Sequence, residues 1–107
     1  MTFYNKQVKV AFDVDGTLIT AGDKPRYDII DIFNDFKRLN ADVYIWSGGG
    51  IEYAEYWSRK LGLEATVVAK GSFVPDIAYD DEVVTLGKVN ICVGHQPWKV
   101  EDGSRSS

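Results

Sequence analysis

The chain has 107 residues, a net charge of −4 and one cysteine. That length allows one compact domain that buries roughly 65% of its unfolded surface. The ordinary balance of 45% hydrophobic and 26% charged residues excludes disorder, coiled coil and collagen. Cys92 alone makes no internal disulfide and no Cys-rich zinc site, and it points to a reducing compartment. No apolar run reaches membrane-spanning length, and Lys6, Gln7 and Lys9 break any leader-like apolar core, so the expected location is cytoplasmic. There is no basic field to attract nucleic acid. With Asp13, Asp15, Asp80 and Asp81 set aside, twelve acidic residues face twelve basic ones, so the excess charge rests on four aspartates.

Val8 to Phe12 is a short β-branched and aromatic strand that stops at the turn-forming Asp13-Val14-Asp15-Gly16-Thr17. Residues 18–27 hold Gly22 and Pro25 and are predicted as loop. Ile29, Ile30, Ile32, Phe33, Phe36 and Leu39 then recur at helical spacing. Asp28 and Asp31 are expected in the first turn of that helix, with Lys37 and Arg38 in its last, the order the helix dipole favours. Val43 to Trp46 is a second strand, closing at Ser47-Gly48-Gly49-Gly50. A second helix follows, with Ile51, Ala54, Trp57 and Leu61 on one face and Gly62 as its stop. Ala65–Ala69, Ile77–Tyr79 and Lys88–Val93 are predicted as the third, fourth and fifth strands.

Alternating strands and helices with near-continuous apolar strands predict a three-layer αβα, Rossmann-like domain. Its parallel sheet would have about five strands, buried on both faces. The last connections are too short for full helices. One domain over 1–107 is expected, with a core at about 8–93 and a polar tail at 94–107.

Four strands end in a chemically capable residue: Asp13, Ser47, Lys70 and Asp80. The C-terminal strand ends of an open parallel sheet line one edge, where ligands bind. Asp13 and Asp15, two apart, point to one side if strand geometry persists. Clustered carboxylates raise one another's pKa unless a cation joins them. An all-oxygen acidic cluster without His or Cys suits a hard ion, Mg²⁺. Ser47 and its glycines open a helix, and free N–H groups there favour a phosphate. Asp76 begins the fourth strand, roughly 13 Å from Asp80 at strand rise, and is excluded. Glu82 and His95 are expected at the surface. Cys92 reads as a small buried hydrophobe. Tyr53 and Tyr56 lie partly off the apolar face of their helix, marking a partner surface or a wet rim.

These motifs, in this order over about residues 8–93, resemble the haloacid dehalogenase superfamily of phosphohydrolases. They are Asp13-Val14-Asp15-Gly16-Thr17 after a strand, Ser47 after Val43-Tyr44-Ile45-Trp46, Lys70, and Asp80-Asp81 after Ile77-Ala78-Tyr79. The resemblance implies a Mg²⁺-dependent phosphomonoester hydrolase working through an aspartyl-phosphate. Asp13 would be the nucleophile, and Asp15 the general acid and then base. Thr17, Ser47, Gly48 and Lys70 would form the phosphate-binding set. Asp80, assisted by Asp81, would hold Mg²⁺ with the Asp13 carboxylate and the Asp15 backbone carbonyl. No segment is long enough for the family's cap, so a minimal, capless member is expected. Ile19 to Lys24 stands where the family has a turn-rich segment.

Two other classes compete. A receiver domain of two-component signalling also uses acids, Ser/Thr, Lys and Mg²⁺, but its phosphorylated Asp ends the third strand, where this chain has Lys70. A catalytically silent binding module is the other, although every motif residue is in place. The substrate class stays open among sugar phosphates, nucleotides, phosphoproteins and nucleic-acid ends. Trp98 in the polar tail either folds back onto its own domain's sheet edge or, with Tyr53 and Tyr56, anchors a homo-oligomer whose contacts shield the site.

Overall fold

A computed structural model describes residues 7–94. The first strand, β1 (Lys9–Asp13), alternates its side chains across the sheet, and its last four residues are buried. It is followed by α1 (Tyr27–Arg38), β2 (Asp42–Trp46), α2 (Ile51–Leu61), β3 (Thr66–Val67), β4 (Ile77–Asp80) and β5 (Val89–Cys92). The strands form one parallel sheet in the order β3-β2-β1-β4-β5, so β1 is central.

The two faces of the sheet are covered differently. Val10, Phe12, Val43, Ile45 and Tyr79 meet Ile29, Ile30 and Phe33 of α1 and Ala54 and Trp57 of α2 in one cluster. Phe12 stacks on Tyr79 at 4.8 Å and meets the edge of Phe33 at 5.3 Å. Full burial of a side chain of this size contributes about 2–3 kcal/mol. On the other face, Ala11, Trp46 and Ala78 are covered by Val68, Phe73 and Leu86 from the connecting segments. Both helices therefore share one face, and the third layer is made of loops. Handedness explains this: β1-α1-β2 and β2-α2-β3 step in the same direction, so right-handed crossovers put both helices on one side.

α1 begins at Tyr27, one residue before Asp28, which leaves Asp31 a turn further in. α2 ends where Gly62 adopts φ +69°, as its sequence predicts. The segment predicted as loop is more ordered than that. Leu18 and Ile19 are fully buried, and Ile19 pairs antiparallel with Pro25.

The edges depart from expectation. β3 is Thr66–Val67 and not Ala65–Ala69. It has one partner strand, and after Val68 donates to Ile45 O the backbone turns away. All of β5 is exposed. It has β4 on one side and no helix over it among the described residues. Cys92 is accordingly exposed and not a buried hydrophobe. No helix among the described residues is long and apolar enough to cross a membrane.

Candidate active site

The carboxyl ends of β1, β2 and β4 and the turn after β3 surround a cleft of about 270 Å³. It is lined by Asp13, Asp15, Ser47, Gly48, Gly49, Lys70, Asp80, Asp81 and Glu82. A larger hollow of about 420 Å³ lies at the opposite ends of β2 and β3, around Lys37, Asp42 and Glu64, and holds none of these groups.

Asp13 is the last residue of the central strand and is 5% exposed. Its Oδ1 lies 3.1 Å from Lys70 Nζ, and its Oδ2 accepts from the Thr17 hydroxyl at 3.4 Å. Burial first, and then the neighbouring Asp80 charge, push the Asp13 carboxyl up to about 7 against the opposing pull of Lys70. Lys70 Nζ also stands 2.8 Å from Asp80 Oδ2. Burial disfavours the Lys70 charge, but its pairs with Asp80 and Asp13 outweigh this and raise its pKa. The cation is thus clamped between the ends of β1 and β4. It reaches them from the Lys70-Gly71 turn, which Ser72 N–H to Ala69 O closes at 3.0 Å.

Thr17 is fully buried behind Asp13 and does not line the cleft. Its hydroxyl supports the Asp13 carboxylate and is not presented to a phosphate. Ser47 is buried at the end of β2, and its Oγ accepts from Gly49 N–H at 2.9 Å. A Cβ on Gly48 would meet nothing within 4 Å, so that peptide is open to the cleft. Gly50, at φ +105°, turns the chain into α2.

Asp13 and Asp15 both line the cleft, but β1 ends at Asp13 and the two carboxylates have different surroundings. Asp15 is exposed, and its Oδ1 accepts from the Tyr53 hydroxyl at 2.7 Å. That bond pushes the Tyr53 phenol above its usual range. Tyr53, expected at a partner surface or wet rim, stands at the cleft. The first turn of α2 opens from the Ser47 loop, and that adjacency is the sequence signal for it. Glu82, expected at the surface, is exposed and also lines the cleft. Arg26 gave no sequence signal. It is 3% exposed, donates to Gly16 O at 2.9 Å and Gly94 O at 2.6 Å, and forks onto the Asp28 carboxylate at 3.2 and 2.7 Å. It ties the loop after β1 to the end of β5. Asp76 sits at the far end of β4, accepting from Lys9 N–H at 2.8 Å and facing Lys88 at 3.4 Å, which agrees with its exclusion. Tyr56 is half exposed and packs edge-on against Trp57. His95 and Trp98 lie outside the described residues.

The donor set fits a hard divalent cation. Carboxylate oxygens of Asp13, Asp80 and Asp81 lie within 4.8 Å of one another. Asp80 Oδ2 is buried and, despite its ion pair with Lys70, receives no hydrogen bond. Burial and Asp80 raise the Asp81 carboxyl, so this cluster is short of positive charge. The Asp81 carboxylate rests against Gly16, where a Cβ would come within 2.3 Å of its Oδ2. The Asp15 carboxylate is outside this trio, so only its backbone carbonyl remains as the ligand the resemblance implies.

A family model, haloacid dehalogenase-like hydrolase, matches residues 10–87, most of the chain. The chain belongs to that family. Searches of curated proteins and of solved structures find no significant match. The matched region takes in Asp13, Ser47, Lys70 and Asp80-Asp81, and the segments between them form no inserted cap domain. The strand order also separates the chain from receiver domains, whose sheets run 2-1-3-4-5.

Proposed function

We propose that this haloacid dehalogenase-like hydrolase is a Mg²⁺-dependent phosphomonoester hydrolase that works through an aspartyl-phosphate. The observation that carries this reading is the Lys70 clamp. One ammonium lies 3.1 Å from Asp13 and 2.8 Å from Asp80, at the floor of a cleft whose other wall is the Ser47 loop. A buried carboxylate nucleophile must be ionised to attack, and it must tolerate a phosphate dianion beside it. Lys70 serves both needs by opposing the burial and repulsion that protonate Asp13. Thr17 fixes the second Asp13 oxygen. Ser47 and the open Gly48 peptide are placed to receive phosphate oxygens.

Asp13 attacks phosphorus, forming its carboxylate O–P bond as the ester P–O bond breaks. The electron pair leaves on the ester oxygen, which takes a proton from Asp15. Water then attacks the phosphorus of the acyl-phosphate, giving its proton to Asp15 and releasing Asp13. Asp13, Asp80 and Asp81 would hold Mg²⁺, which supplies positive charge to the carboxylates and to the transferring group when bound.

The cleft is open and has no lid among the described residues, so a large substrate or a neighbouring subunit is proposed to cover it. A cytoplasmic location is proposed on the single cysteine. The test is hydrolysis of an aryl phosphate, then of a panel of phosphorylated metabolites and peptides, with Mg²⁺ and with excess EDTA. Turnover is expected only with Mg²⁺. Asp13→Asn should remove turnover and trapped phosphoenzyme together, whereas Asp15→Asn should still be phosphorylated by an ester with a good leaving group. Full activity in EDTA, or equal mild losses in both variants, overturns the reading.

A further inference from the structure

We infer that Tyr53 is a positioning residue for the proton-transfer group, holding the Asp15 carboxyl in one orientation toward the leaving oxygen. This rests on the phosphohydrolase reading and adds a residue to it. Asp15 lies past the end of β1 and is exposed, so core packing does not select its rotamer. The Tyr53 hydroxyl, 2.7 Å from Asp15 Oδ1, selects it instead. Because it donates, it occupies Oδ1 as an acceptor. Oδ2 is then left to face the leaving oxygen.

The tyrosine is itself held in place. Its ring packs partly against the main core cluster. It also lies over Gly49, where a Cβ would come within 3.1 Å of Tyr53 Cδ2, so only glycine gives the ring this seat without a shift. The same Gly49 donates its N–H to Ser47 Oγ. One ring therefore fixes the acid on the loop after β1 relative to the phosphate-facing loop after β2. The proton donor and the phosphate are positioned against each other without a cap.

The test is Tyr53→Phe, which keeps the ring and its packing and removes only the hydroxyl. kcat/KM is measured over a series of phosphate monoesters from alkyl to dinitrophenyl, which reports the step in which the ester P–O bond breaks. Loss of an oriented donor should matter most where the leaving oxygen most needs a proton. About a tenfold loss is expected on the alkyl ester, the size of one well-placed hydrogen bond, and it should shrink steadily as the leaving alcohol becomes more acidic. The loss should fall on kcat and not on KM, with the melting temperature held. Tyr56→Phe, on the same helix but away from the cleft, is the control. An equal loss across the series, or none, overturns the proposal while leaving the phosphatase reading intact. A wild-type chain inactive on every ester removes both.

Discussion

Replacing Asp13 by asparagine should make the metal-free protein more stable, and the gain should depend on pH. The Asp13 carboxyl titrates near 4 in the unfolded chain and at about 7 in the folded one. Between those values the folded state binds more protons than the unfolded state, so stability falls as pH rises through that window. A rise of that size, at about 1.36 kcal/mol for each pH unit, sets an upper bound of about 4 kcal/mol for the cost of the Asp13 charge above pH 7. Asparagine carries no charge, yet it leaves Lys70 with Asp80 as its remaining carboxylate partner, so part of that gain is given back. At pH 8 in EDTA, Asp13→Asn should be more stable than wild type by about 2 kcal/mol or more, or about 10 °C in melting temperature for a domain of this size. At pH 4, where the wild-type carboxyl is already neutral in the fold, the two should agree within about 1 kcal/mol. Urea denaturation followed by tryptophan fluorescence from pH 4 to 8 reads both. Added Mg²⁺ should stabilise the wild type more than the variant, because a cation at the carboxylates removes the cost that the substitution removes. Parallel stability curves for the two proteins from pH 4 to 8 would refute the claim that the surroundings of Asp13 raise its pKa.

Gly16→Ala forces a side chain at φ +78° and drives its Cβ into the Asp81 carboxylate, so it should cost about 2 kcal/mol or more and weaken Mg²⁺ binding by calorimetry. Gly62→Ala meets open space at φ +69°, so it should cost only the backbone penalty of about 1 kcal/mol and leave Mg²⁺ affinity unchanged. Arg26→Met strips a buried donor from Gly16 O, Gly94 O and Asp28, and should lower stability by about 2–4 kcal/mol in urea titrations. Lys70→Met leaves Asp13 and Asp80 facing each other without their cation. It should raise the Asp13 pKa further, making the metal-free protein less stable at pH 8 than at pH 5, and should reduce turnover at least about 100-fold.

Asp13, Ser47 and Asp80 were legible because each central strand is an apolar run cut off by Asp, Ser-Gly or Asp-Asp, and a parallel sheet brings such ends together; Lys70, expected to close the third strand, comes instead from a turn three residues past β3. The helix stop at Gly62 was legible for the same local reason. The edges were not. A run such as Ala65–Ala69 looks like a strand whatever lies beside it, and a missing partner shortened it to Thr66–Val67. Cys92 sits in an apolar run too, and nothing in its neighbours tells that β5 is an uncovered edge. Arg26 was invisible because its acceptors, Gly16 O and Gly94 O, are backbone atoms brought together only by the fold. Face counting put Tyr53 at a wet rim, where its half-buried ring does stand, but it gave no sign of the bond to Asp15. Its position at the helix start, not its angle around the helix, decides what it touches. Even the sharing of one face by both helices follows from the strand order and the hand of the crossovers, and that order is not written in any one segment.

The topology accounts for where the acids stand. From β1, the path through α1, β2 and α2 runs to one side of the sheet, and β4 and β5 lie on the other. Connections on the two sides cover opposite faces, so they separate at the carboxyl end of β1 and leave a crevice there. Asp13 is the residue at that point. Behind it, Phe12 is pinned between Phe33 and Tyr79, so the charge-crowded Asp13 rests on a strand whose last four residues are all buried. That arrangement has a consequence for the order of events on heating. The core under β1 holds the carboxylates together against their repulsion, whereas Asp15, Gly48 and Gly49 lie in exposed turns. Local opening should therefore begin in the loops that bear Asp15 and Ser47 and reach Asp13 only with global unfolding. Amide exchange should show Phe12 and Asp13 exchanging near the global limit, and Asp15, Gly48 and Gly49 orders of magnitude faster. Equal protection across both sets would mean that the cleft is as rigid as the sheet beneath it, and the division of labour between strand and loop would fall.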